Sequence, residues 1–413
     1  MNETLKNIRA RRSILHSIRK NSLLALTILL VVSCCKSHDE TVGPKLLWSV
    51  ELPRVDSPEV FWQGEGIMPV YSDIIVAHTT MHDDWDEPLT IADNRLCGIN
   101  LNDQSVEWLY PQTDAVEMDI IFNHYGYQIG NLFVVKYVET SSDGEMFTSV
   151  AALDIVTGDE KWKYREQTYD STNHCDYVVG DGNYCYYVND GQRVYMSDVN
   201  TGETHLLYSA GDMGIENQPL FVGDNRMAII RHEKEDDLSF SEVIIMDLTT
   251  KCIDKSFNLP ITKEYSDWTL GAVNDGNTLY CNIHDYSYSI DIDSEMIGWE
   301  SRNPGFDGMG NFFLHNGVLF RSGWSSAIAL DVWTGKPLYG YPELGSTLVS
   351  AYGERVYYTT STGLLYVMNL KDGHIISKTT CPCGQSGFFG AYPTVYGDNL
   401  FIMGGNKLHC YKL

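Results

Sequence analysis

The sequence predicts an all-β fold: an eight-bladed β-propeller of four-stranded blades, its ring closed by the N-terminal strand joining the C-terminal blade. Three observations predict it. One unit recurs eight times, each copy follows its own hairpin signal, and the strand missing from the last copy stands at the other end of the chain.

The unit is clearest in "ALDIVTGDEKW", which holds Asp154, Thr157, Gly158 and Trp162. Other copies place Asn100 and Trp108; Asp198, Thr201, Gly202 and Leu206; Asp247; Asp291 and Trp299; Asp331, Thr334, Gly335 and Tyr339; and Asn369 with Asp372-Gly373. Lys412 takes the Asp slot of the last copy. The slots at 100, 154, 198, 247, 291, 331, 369 and 412 lie 38 to 54 residues apart. That suits a four-stranded blade of roughly 40–45 residues with loop insertions.

Upstream of each slot an apolar run, a tight Gly/Asn/Asp turn and a second run signal a hairpin. The turns are "VYSDI", "IGNL", "VGDGN", "VGDNR", "VNDGN", "HNGV", "YGERV" and "YGDNL". No stretch of the mature chain keeps a long 3.6-residue period, so helices should be scarce. The last copy has three strands before the chain stops at Leu413. "KLLWSVEL", Lys45 to Leu52, supplies the fourth, with Trp48 in the aromatic slot. Such a closure leaves no loose sheet edge across the seam.

The repeated residues have structural work. An Asp or Asn before a turn bonds backbone N–H groups two residues on. The Gly after Thr supplies a left-handed residue. The aromatic residue lies on the outer strand, ready to pack on the neighbouring blade.

The first segment reads as an address. Six basic residues and one acid occupy residues 1–33, and without them the formal charge falls from −26 to about −31. So acidic a chain repels phosphate backbones, and nucleic acid is not an expected partner. The apolar run Ser22–Val32 is short for a membrane span. With its basic flank it fits a signal peptide over 1–33. "Val31-Val32-Ser33-Cys34" resembles a bacterial lipobox, which would leave Cys34 as the lipidated N-terminus. Residues 34–44 then form a tether, and 45–413 a single propeller. Several acyl chains on one residue suffice for stable anchoring. The "SHDE" that follows resembles the acidic tract of surface lipoproteins of the Bacteroides group.

The pattern A-x-D-x-x-T-G-x-x-x-W resembles the tryptophan-docking motif of the PQQ-like, quinoprotein-type propellers, over residues 45–413. Within that family the dehydrogenases would imply adjacent cysteines against the quinone, calcium ligands and a catalytic Asp. The only adjacent cysteines here are Cys34-Cys35, and the lipobox claims the first. Neither a cofactor, a metal site nor a catalytic residue is therefore expected. With its anchor, length and eight blades, the chain also resembles the BamB-type lipoproteins of the outer-membrane barrel-assembly machinery. That resemblance implies a scaffold on the outer membrane, facing the periplasm or the cell surface, with an envelope protein as partner.

Some residues remain outside the repeat. His124 and His174 follow Asn in two successive first strands and could share the central channel as polar lining. "HDDWDEP" carries Trp85 in an acidic loop without the alternating oxygen ligands of a calcium loop. Trp85, Tyr125, Trp268 and Trp324 are candidates for a partner contact or for stacking on a glycan. "Cys381-Pro382-Cys383" is compatible with a metal, a disulfide or two separate thiols. The eight cysteines other than Cys34 and Cys35 allow disulfides without fixing their pairing.

Overall fold

The computed structural model describes residues 44–413 except 53–67, 79–94, 112–118, 142–144, 169–177, 216–217, 224, 236–237, 260–268, 284, 304–311, 323–326, 342–348, 361–362, 381, 383–391 and 405–406. The signal segment and most of the tether lie outside the described residues.

Every described element is a strand or a turn; no helix occurs among the described residues. The strands form eight antiparallel sheets. Blades 1 to 7 cover 70–110, 119–168, 178–209, 214–258, 269–302, 312–341 and 349–380. Within each, the strands pair in chain order. The first strand of blade 4 comes in two short pieces, Gly214–Ile215 and Leu220–Phe221, both on the same neighbour. Blade 8 takes three strands from 394–412, and its fourth is Lys45–Glu51, antiparallel to Lys407–Lys412.

The register at this seam matches the other blades. Trp48 pairs with Cys410, two residues before the Lys412 slot, as Trp108 pairs with Gly98 and Trp162 with Ala152. The outer strand also bulges at the same point, between Leu46 and Trp48. A bulge adds one unpaired residue and local twist. Here it sits between the two residues preceding the slot in every blade but one.

Blade 3 is the exception, and it corrects the placing of Leu206 in the aromatic slot. Its bulge falls between Val194 and Tyr195, so Leu206 pairs with Tyr195. Side chains alternate along a strand, so moving the bulge exchanges inside for outside. Leu206 is 54% exposed, and Leu207 packs into the core instead.

The apolar runs are continuous because both faces of each inner strand are buried. Val134, Val150, Ala152 and Trp162 face blade 3, whereas Phe133, Val135, Ala151 and Leu153 face blade 1. The buried side chains fall into eight clusters, one for each gap between neighbouring blades. The gap between blades 8 and 1 has its own, joining Phe401, Met403, Leu408 and Cys410 to Ile75, Ala77, Cys97 and Ile99, with Trp48 packed against it. That cluster exists only because the ring closes.

A backbone bond counts the blades as well. The residue after each slot gives its N–H to the turn between the first two strands of its own blade. It runs from Leu101 to Asp73, Ile155 to Asn131, Val199 to Asn183 and Leu248 to Asn225, then from Ile292 to Asn277, Val332 to Gly317, Leu370 to Glu354 and Leu413 to Asp398. The two sets of turns therefore share one end of the ring, the Asp-turn face. Close approaches between neighbouring sheets involve first strands, such as Asp119–Ile129 with Val178–Gly180 and Thr269–Asp275 with Phe312–His315. First strands thus converge on the axis.

Candidate functional site

The repeat residues build contacts between blades. Asp154 Oδ1 accepts the N–H groups of Val156 (2.9 Å) and Thr157 (3.2 Å). Asp198, Asp247 and Asn369 take the equivalent pairs, and Asp291 and Asp331 bond Ser294 and Thr334. Such N–H donors favour the ionised form. The Thr201 N–H holds Asp198 below the usual carboxylate range, and the Thr250 and Ser294 N–H groups do the same for Asp247 and Asp291.

Four of the outer-strand aromatics then reach a carbonyl of the next blade, whereas Trp48 packs in its gap without such a bond among the described residues. Trp108 Nε1 donates to Ile155 at 2.9 Å, Trp162 to Val199 at 2.6 Å and Trp299 to Val332 at 2.8 Å. Tyr339 does the same with its hydroxyl, to Leu370 at 2.8 Å. The worn copy in blade 4 keeps the contact by other means. Lys255, eight residues after Asp247, gives its ammonium to the Ile292 carbonyl and to that of Asp293 at 3.0 Å.

The indoles also explain the glycines. A methyl group on Gly202 would lie 2.7 Å from Trp162 Cγ, and on Gly335 2.4 Å from Trp299 Cε3. Where the preceding blade lacks an aromatic ring, no glycine follows: Lys251 follows Leu206, and Glu295 follows Lys255. Both keep the left-handed conformation, with φ 57° and 60°. Gln104 is the exception: it holds that conformation at φ 63° although the preceding blade carries Trp48.

At the opposite end, half-buried polar groups pair between blades, and one buried set lies within blade 2. Glu166 accepts from Arg193 (2.7 Å), Tyr195 (2.8 Å) and Asn189 (2.8 Å) across the gap from blade 2 to blade 3. Arg231 bonds Glu242 and the Tyr208 hydroxyl between blades 3 and 4. Glu139 is buried with Lys163 and has Arg165 Nε at 3.1 Å. Their partners consume these charges, leaving them structural.

The cysteines do not fit a quinone clamp. Cys97, Cys185, Cys281 and Cys410 are buried free thiols in apolar gaps, and Cys252 is exposed and free. Burial pushes Cys97, Cys185 and Cys281 up to about 12, so they are poor nucleophiles. No two cysteines within 45–413 are adjacent, and no group of three or more potential metal ligands occurs among the described residues.

Of the sequence candidates, Cys34, Trp85, His174, Trp268, Trp324, Cys381 and Cys383 lie outside the described residues. His124 and Tyr125 lie on the first strand of blade 2, in the register irregularity between Phe122 and Gly126; their side chains lie outside the described set. Trp85 and Trp324 fall between second and third strands, and His174 and Trp268 between successive blades. These connections join strand ends opposite the Asp-turn face.

The Asp-turn face presents aromatics that sequence reasoning missed. Tyr71, His315, Tyr352 and Tyr396 occupy one position, the last residue of the first strand, in blades 1, 6, 7 and 8. The ring makes these four blades consecutive. Tyr71, Tyr352 and Tyr396 are 39%, 56% and 39% exposed. Trp333, 73% exposed, lies over Gly317 of the neighbouring turn in blade 6. His315 Nε2 and Asn316 Nδ2 both donate to the Gly353 carbonyl, at 3.0 and 3.1 Å, tying the turns of blades 6 and 7 together. Because first strands converge on the axis, the rings stand around its opening as an arc.

The other half of the face differs. Blades 2 to 5 carry Ile129, Gly180, Phe221 and Asp275 at the strand end, and their turns are acidic. Asp154, Asp159, Asp181, Asp198, Glu203, Asp247, Asp291, Asp293 and Glu295 stand there against Lys161, Arg226, Lys251 and Lys255. In the aromatic half the charges pair more evenly: Lys371 with Glu354 (3.2 Å) and Lys412 with Asp398 (2.9 Å).

No protein-family model matches the chain. No curated protein matches it. Solved structures do. BamB from Moraxella catarrhalis aligns over 90% of this chain and 100% of its own, with TM-score 0.60 and 14% identity. A europium-containing methanol dehydrogenase aligns over 91% and 94%, with TM-score 0.64 and 10% identity. The quinohemoprotein alcohol dehydrogenase from Comamonas testosteroni aligns over 89% and 76%, with TM-score 0.60 and 12% identity. At these identities the likeness speaks to fold, and one fold hosts many functions. The seam, the eight interblade cores and these alignments together make the chain an eight-bladed β-propeller, a fold it shares with BamB, the methanol dehydrogenase and the quinohemoprotein alcohol dehydrogenase.

Proposed function

We propose that the chain is a non-catalytic, membrane-anchored propeller that acts as a protein-binding scaffold in the bacterial cell envelope, held to the outer membrane by lipid on Cys34. The observation that carries this reading is the exposed aromatic arc on the Asp-turn face. Interfaces are enriched in Tyr and Trp, and large exposed apolar groups clustered on one face mark interaction sites. The likeness to BamB, which spans that protein's full length, supports it. Formaldehyde crosslinking of the full-length chain in intact cells should capture one dominant envelope partner; recovery of the chain alone would overturn the reading. Cys34→Ala should release the protein from membranes, and unchanged retention would refute the anchor.

The same rings favour a second reading, a glycan-binding surface propeller. It requires a thermal shift with some polysaccharide, and a broad panel without one counts against it.

A further inference from the structure

We propose that the Asp-turn face recognises a polypeptide segment that is apolar along one part and rich in Lys and Arg along the other, the apolar part on the aromatic arc and the basic part on the acidic half. This rests on the scaffold reading and names the chemistry of the partner.

The asymmetry carries the inference. Eight equivalent strand ends would be free to carry similar residues, since the backbone bond beneath each is the same. Instead, Tyr or His ends the first strand in four consecutive blades, and in the turns of the other four the carboxylates exceed the cations by the wider margin, with Tyr184 and Phe221 the aromatic side chains there. The ring positions do no interblade packing comparable to Trp108 or Trp162, which are nearly buried. Tyr352 at 56% and Trp333 at 73% exposure leave most of each ring to water. The acids outnumber the cations: Lys161 stands between Asp154 (3.4 Å) and Asp159 (3.9 Å), Lys255 lies 3.8 Å from Glu295, and no ion pair holds Asp181, Asp198, Asp247 or Asp275 among the described residues. Arg226 is taken by Asp293 at 2.9 Å and Asn277 at 2.8 Å, and Lys255 by backbone carbonyls. Glu203 has only His205 close by, at 3.2 Å. A neutral sugar chain would answer the rings but leave the uncompensated charge idle. A basic segment answers the charge and is drawn to it at long range. Its apolar stretch covers the rings, and cations at its junction meet tyrosine faces favourably.

The test places a photo-crosslinking phenylalanine analogue in the full-length chain in cells at one position per variant: Tyr352, Asp275, or Gln192 on the opposite face as a reference. Mass spectrometry then reads the crosslinked peptide. The expected result is one partner captured from both Tyr352 and Asp275. The peptide caught from Tyr352 is apolar, and that from Asp275 holds several Lys or Arg. Glu203→Gln with Asp275→Asn should then lower the yield from Tyr352 about tenfold, each lost charge contributing severalfold, while leaving the yield from the Gln192 position unchanged. A partner caught only from Gln192 overturns this surface and leaves the scaffold reading standing. Acidic crosslinked peptides, or a glycan adduct in place of a peptide, overturn the inference. Failure to capture any partner from any position sinks the scaffold reading itself.

Discussion

Replacing Gly202 by Ala tests how the blades are joined. Gly202 has φ +72°, and an added methyl would meet Trp162 Cγ at 2.7 Å. Two costs follow. Left-handed backbone costs a residue with Cβ about 1–2 kcal/mol, and overpacking a fitted contact costs about 1–3 kcal/mol. Gly202→Ala should therefore destabilise by about 2–5 kcal/mol. Trp162→Ala removes a ring that is 8% exposed and should cost about 3–5 kcal/mol. In the double variant the clash has no partner and only the backbone cost remains. The double variant should then be about 1–3 kcal/mol more stable than the sum of the single effects predicts, the size of the overpacking cost. Urea midpoints followed by far-ultraviolet circular dichroism give all three values. Additivity within about 0.5 kcal/mol would show that ring and glycine do not meet, and the interblade account would fail.

Other outcomes follow from the same geometry. Lys251→Gly and Glu295→Gly should each raise stability by about 0.5–1 kcal/mol, the relieved left-handed backbone outweighing the added freedom of the unfolded chain; a lower thermal midpoint for both contradicts this. Asp198, Asp247 and Asp291 are held below the ordinary carboxylate range by backbone N–H groups. Their contribution is present above the unfolded value of about 3.9 and is lost as pH falls through the folded values. Asp198→Asn keeps the acceptor without the charge, so its thermal midpoint should fall less between pH 5 and pH 2 than the parent's, those bounds being about one to two units either side of that value. His409 lies at the seam, its Nδ1 2.7 Å from Ser49 Oγ and its Nε2 donating to the Gly404 carbonyl at 3.1 Å. Burial lowers its pKa. The neutral ring is thus favoured in the folded chain, and its contribution is full above about pH 6.5 and declines as pH falls towards the folded value. Amide exchange of Lys45–Glu51 should accelerate relative to Thr394–Tyr396 over that window, and equal acceleration of both strands would contradict a role at the seam.

Much of the fold is legible in the chain because the period is carried by turns. A slot residue, its left-handed position and the outer aromatic sit at fixed offsets, and Trp48 reveals the seam by the same offset. What escaped reading is contact without side-chain likeness. Lys255 looks like decay of the aromatic slot, yet its target is a backbone carbonyl, which an ammonium reaches as well as an indole does. The shifted bulge of blade 3 is invisible because Leu206 and Leu207 are both apolar, and only pairing decides which faces inward. The link between an aromatic in one copy and a glycine in the next, which Trp48 and Gln104 alone break, was readable, but only by comparing successive copies. The aromatic arc was present in the quoted turns "VYSDI", "YGERV" and "YGDNL". It cannot be told there from ordinary core aromatics, because exposure at a strand end depends on where first strands finish in space.

The central claim is that the repeated residues hold the ring together and perform no chemistry. Its most direct test incubates the purified protein with pyrroloquinoline quinone and calcium, then follows dye reduction with a panel of alcohols and aldose sugars. The account predicts no rate above a heat-denatured control. Cofactor-dependent, saturable dye reduction would contradict it.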